Sequence, residues 1–161
     1  MLSQAKLAEV FKSPPAETEA EAIQYITNAW VDFFSDASVA GIPAKRSLLE
    51  PARVAMALAL VGMSAPGAGV GKLTTAITAF WAAVTPSAAS IWVTLPATVS
   101  ATPPPTLASI ALILPPIFAA NTAGRKSIND AANDLASAVL STQLGGATLN
   151  AAVPPLAVPI L

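Results

Sequence analysis

The 161-residue sequence contains no cysteine and no histidine, and only 11% of its residues carry charge. Each shortage excludes chemistry. Without cysteine there is no disulfide framework and no thiol nucleophile. Without histidine there is no imidazole base and no Ser-His-Asp arrangement, and the common zinc ligand sets cannot form. The charge content is less than half of the roughly 25% usual in a soluble domain, while 54% of residues are hydrophobic. A net charge of −1 supplies no positive field to neutralise phosphates, so nucleic acid is not expected as a partner.

The charges present are unevenly placed. Twelve of the seventeen lie at or before Arg53, the only one in residues 54–124 is Lys72, and none follows Asp134. A polar head thus leads into a long, nearly uncharged body. A bilayer span needs about 20 consecutive apolar residues in a helix, and three windows approach that length. Each is interrupted: 54–71 by Gly62, Pro66, Gly67 and Gly69, 75–101 by Pro86 and Pro96, and 106–124 by Pro115 and Pro116. Residues 1–21 are charged and lack an apolar signal core, so no leader is expected there.

Apolar periodicity predicts a mainly α fold, a compact bundle of about five helices with Pro-rich extended segments and an extended C-terminal arm. The expected divisions are an N-terminal segment (1–15), a helical domain (16–146) and the arm (147–161). Thr18 and Glu21 form a capping box that opens a helix running to about Asp36, with Ile23, Ile26, Trp30, Phe33 and Phe34 on its core face. A loop over 38–46 leads to a second capping box, Ser47 with Glu50, and Pro51 in the first turn. Val54, Leu58 and Val61 are expected to form the buried face of that helix. The next helix, 70–84, places Leu73, Ile77, Phe80 and Trp81 in the core. Residues 90–95 are β-branched and aromatic, which favours a short strand, and Pro103-Pro104-Pro105 favours polyproline II. A helix over 107–114 should stop at Pro115, with Pro116 opening another short one. A last helix starts at Ser127 and buries Ile128, Ala131, Leu135 and Val139. The tail holds three prolines, which argue against a central strand.

One stretch imitates a phosphate-binding loop. Residues 66–74 follow an apolar run and open a helix, but a Walker loop needs Gly where Pro66 stands and Ser or Thr where Leu73 stands. No carboxylate between Glu50 and Asp130 is available as the second metal ligand. The stretch reads as a flexible loop feeding a helix start, and Glu17, Glu19 and Glu21 as surface charges complementing a helix dipole. Asp130 and Asp134 lie one turn apart, as a cation pair would, though a solvated helix start accounts for them. No catalytic residue, cofactor or metal site is expected, and the protein is read as a non-enzyme.

A surface with so little charge has to be covered. The prolines argue against lipid, and obligate protein interfaces are unusually apolar. Candidate partner-interface residues are Trp92, Val93 and Leu95 together with Val153, Leu156, Val158, Ile160 and Leu161 of the arm. The phrases at 79–84, 103–107, 114–122 and 144–148 resemble the small Ala/Thr/Pro-rich virion proteins of tailed bacteriophages. This resemblance implies a structural role in a capsid, neck, tail or baseplate, with copies of itself and other virion proteins as partners and the virion, assembled in the host cytoplasm, as location. The alternative is a small membrane-associated protein of the lysis or membrane-remodelling type, its charged head on one side. A third reading is a helical binding module whose apolar groove takes a small ligand or peptide.

Overall fold

The computed structural model describes residues 3–12, 18–39, 42–92, 99–103, 109–124, 126–143, 148–151 and 156–159. Six helices carry the chain: α1 (Gln4–Phe11), α2 (Glu19–Phe34), α3 (Glu50–Leu60), α4 (Gly69–Ile91), α5 (Ile110–Ala123) and α6 (Ile128–Gln143). Short strands β1 (Ser38–Val39) and β2 (Ile42–Pro43) pair antiparallel between α2 and a single 3₁₀ turn at Arg46–Leu49. Strands β3 (Val99–Thr102), β4 (Thr148–Ala151) and β5 (Leu156–Pro159) form an antiparallel sheet in the order β3-β4-β5. The fold is mainly α and compact, as the periodicity predicts.

The core is built around α4. Its buried residues, Leu73, Ala76, Ile77, Phe80, Trp81, Val84, Ala88 and Ile91, recur every three or four positions along one face. Against them α2 sets Trp30, Phe33 and Phe34. Phe34 meets Phe80 and Trp81 edge to face, at ring-centre distances of 4.9 and 5.3 Å, the geometry that opposes the positive edge of one ring to the negative face of another. From α6 come Leu135 and Val139, and Ile23 and Ile26 are half-buried at the margin. The segment containing α1 is built into the bundle: Leu7, Ala8 and Val10 are buried, and α1 packs on both α6 and α2.

The Thr18 capping box forms in both directions, Glu21 N–H donating to Thr18 Oγ1 at 3.2 Å and Thr18 N–H to Glu21 Oε2 at 3.1 Å. Ser127 Oγ likewise accepts from Asp130 N–H at 3.1 Å. The expected box at Ser47 does not form: the 3₁₀ turn places Ser47 ahead of the helix, and the Glu50 carboxylate accepts both Arg53 Nε–H and Nη2–H instead.

Two expectations fail for one reason, that tertiary burial outweighs a local breaker. Helix α4 does not end near Val84 but continues through Pro86 to Ile91, so Ser90 and Ile91 are helical and the strand begins at Val99. An interior proline costs about 3 kcal/mol, yet the extra turns bury Ala88, Ile91 and Trp92, and a single isoleucine side chain is worth roughly 1.5–3 kcal/mol. Helix α5 likewise runs through Pro115 and Pro116. The carbonyls left without a donor belong to Ala111 and Leu112, both exposed, where water can reach them. The tail is extended, but it pairs with its own chain. Strand β4 lies in the centre of the sheet and is free of proline, while Pro159 is placed on the edge strand β5, opposite Thr148.

Candidate functional site

The face of α3 that the sequence assigns to the core faces outward. Val54, Leu58 and Val61 are 44, 70 and 56% exposed, and Ala52, Met56 and Leu60 are buried in their place with Leu49. The helix is apolar on both sides, so spacing alone cannot choose between them; the stripe carrying Leu49, Met56 and Leu60 removes more hydrocarbon from water. Pro51, Val54 and Leu58 then form an exposed row on α3 with intervals of three and four, the seam pattern of a helix that packs on another helix, and Val61 extends the exposed apolar surface just past its end.

Helix α4, to which α3 packs more extensively than to any other described element, repeats this character. Its fully exposed described residues are Gly71, Thr75, Thr78, Ala82, Pro86 and Ser90, none of them charged. The hydroxyls of Thr75 and Thr78 donate back to the carbonyls of Gly71 and Thr74, at 2.9 and 3.0 Å. Their donors are therefore spent within the helix. On α5, Leu112 is 78% exposed, beside exposed Ala111, Pro115 and Pro116.

The candidate interface set is otherwise only partly described. Trp92 is a correction: it is 1% exposed, packs near Phe34, and donates its indole N–H to the Ala37 carbonyl at 3.3 Å. Its amphipathic ring fits a core position that offers one acceptor. Val93, Leu95, Val153, Ile160 and Leu161 lie outside the described residues, and Leu156 and Val158 belong to β5, paired with Ala151 and Leu149. Ile128, expected in the core, is exposed at the start of α6.

The turn just before the stretch that imitates a phosphate site is tied to α2. Gly62 and Gly67 adopt φ of +83° and +77°, a left-handed backbone open to glycine, and the amides of Gly62 and Ser64 donate to Glu19 at 2.6 and 3.2 Å. The Gly62 amide first, then the Ser64 side chain and amide and the charge of Lys72, hold the Glu19 carboxyl below its ordinary value of 4.5 against a small opposing effect of burial. Glu19 is thus more than a dipole-complementing charge: it pins the loop between α3 and α4 to the start of α2. The sequence carried no signal of this contact, since 43 residues separate the partners. Asp130 and Asp134 do not act together either, Asp130 accepting from the Ser127 hydroxyl and Asp134 pairing with Lys126.

Beside this loop lies an apolar cavity of about 400 Å³. Val10 and Phe11 of α1, Ala22 and Ile26 of α2, Leu60 and Met63 around the end of α3, Gly69 and Leu73 of α4, Phe118 of α5 and Leu135 of α6 line it. None of these side chains is charged or a hydrogen-bond donor. Among the described residues no group of three or more acidic side chains could hold a metal ion, and no helix is long and apolar enough to cross a membrane. No protein-family model, curated protein or solved structure matches this chain.

Proposed function

We propose that this protein is a non-enzymatic structural subunit of a large assembly, a phage virion or phage-like particle, and that it binds its neighbours through the outward faces of α3 and α4. One observation carries the reading: beyond Arg53 these two packed helices present no exposed charged residue, and α3 offers an exposed aliphatic row instead. Burial of such a row supplies association free energy at about 25 cal/mol per Å², and faces without charge are characteristic of permanent subunit contacts. The likeness of its Ala/Thr/Pro-rich phrases to tailed-phage structural proteins supports a virion as the particle, with copies of the chain and other virion proteins as neighbours.

The test is a Leu58→Lys, Val61→Lys double variant. Both positions are exposed, so melting should move by no more than the roughly 0.5 kcal/mol typical of surface changes. Incorporation into sedimenting particles, followed by mass spectrometry of the pellet, should be lost. A variant that enters particles normally refutes this interface.

A further inference from the structure

We infer that the apolar cavity between the helices is a binding site for a single-chain anionic amphiphile, a free long-chain fatty acid, with the hydrocarbon tail inside and the carboxylate beside Lys72. The inference rests on the cavity alone and is independent of the assembly reading.

Size selects the tail. An engineered apolar cavity of about 150 Å³ holds one benzene ring, and on that scale about 400 Å³ corresponds to roughly fifteen carbon atoms. One aliphatic side chain from a neighbouring subunit would fill a small part of it, whereas an acyl chain matches it. The lining agrees, because a tail needs no polar partner and Ile26, Leu60, Met63, Leu73, Phe118 and Leu135 offer none.

Charge selects the head. Lys72 is the single charged residue in 54–124, and it stands in α4 between two residues that line the cavity, Gly69 and Leu73. Its Nζ lies 3.8 Å from the point where a Cβ on Gly62 would sit, one residue before Met63, which lines the cavity. Among the described residues no carboxylate lies within ion-pair distance of it. The nearby Glu19 carboxylate is engaged by the Gly62 and Ser64 amides and contributes only through its field. A cation one residue from the cavity-lining Leu73, with no carboxylate within ion-pair distance, is complementary to a carboxylate at the end of a hydrocarbon chain.

The experiment titrates the purified full-length chain with parinaric acid, followed by its fluorescence, and competes it with palmitate or with cetyl alcohol, which has the same chain length and no charge. Saturable binding of one probe per chain, displaced by palmitate, is expected. Ala22→Trp, which projects a ring into the cavity, should weaken both competitors at least tenfold with unchanged circular dichroism, and Ile26→Trp serves if that variant does not fold. Lys72→Gln should weaken palmitate by about tenfold, the effect of losing one charge-assisted contact, and leave cetyl alcohol unchanged. Absence of saturable binding, or full affinity in the folded tryptophan variants, overturns the site. Equal loss of both competitors in Lys72→Gln overturns the assignment of the head. Binding to anionic phospholipid vesicles without displacement of the probe overturns it in favour of a membrane surface.

Discussion

Glu19 shows how far one residue's role depends on distant chain. Its place in the first turn of α2 makes it favourable to the helix dipole whatever surrounds it, but its oxygens are used by the backbone of Gly62 and Ser64. Because those contacts hold its carboxyl below 4.5 in the folded protein, the folded state binds fewer protons than the unfolded chain in that range. The stabilisation is therefore complete above about pH 4.5 and is lost as the pH falls through the lower folded value. Glu19→Gln should melt earlier than the parent at neutral pH, and the two melting curves should converge in acid. A constant difference down to pH 2 would show that the charge is not what acts. Residues whose role follows from size alone were legible beforehand, as Trp30, Phe33, Phe80 and Trp81 are buried where their spacing puts them. Trp92 was not, because an aromatic in the β-branched stretch 90–95 reads equally as an interface anchor until Ala37 and Phe34 are found around it.

At the level of elements, tertiary burial overrides proline breakers and decides which face of an apolar helix is covered. Capping residues were reliable at Thr18 and Ser127, where the bond is made within four residues. The sequence sets Pro86 and Pro115 as breaks and Pro116 as a new start, yet in all three cases the ring is exposed and the opposite face of a continuous helix buries apolar side chains. Helix α5 should accordingly be stabilised when its prolines are removed. Pro116→Ala restores the amide donor for the Leu112 carbonyl, leaving only the gap at Pro115, and should raise stability by up to about 3 kcal/mol, the usual cost of an interior proline. Denaturant unfolding measures this directly, and a lower midpoint would mean that the proline itself is required for the packing of Ile110 and Leu114. The reversal of α3 has a different origin. Two apolar stripes share one short helix, and only the position of α4 and α2 determines which is covered.

For the whole molecule, the described core runs from Leu7 to Val139 and lies within the helices, the connections between α2 and α4, and Trp92 at the end of α4. Deleting residues 147–161 removes β4 and β5 and should leave the helical circular dichroism signal and a cooperative melt. The same deletion bares the edge of β3, which now has β4 as its partner, and an unpaired edge invites pairing with other chains. Concentration-dependent association of the truncated protein is expected in sedimentation velocity; a strictly monomeric product would show that β3 is protected by something other than β4. The sequence by itself determined the mainly helical class, the aromatic core, the helix caps and the scarcity of charge after Arg53, because each follows from composition or from contacts a few residues apart. Only the tertiary structure decided which side of α3 meets solvent, that Glu19 ties the turn after α3 to the start of α2, that the tail closes a sheet with β3, and that six helices leave an apolar cavity between them. Those outcomes depend on pairs of residues far apart in the chain, whose meeting is set by the total surface buried and not by any local pattern.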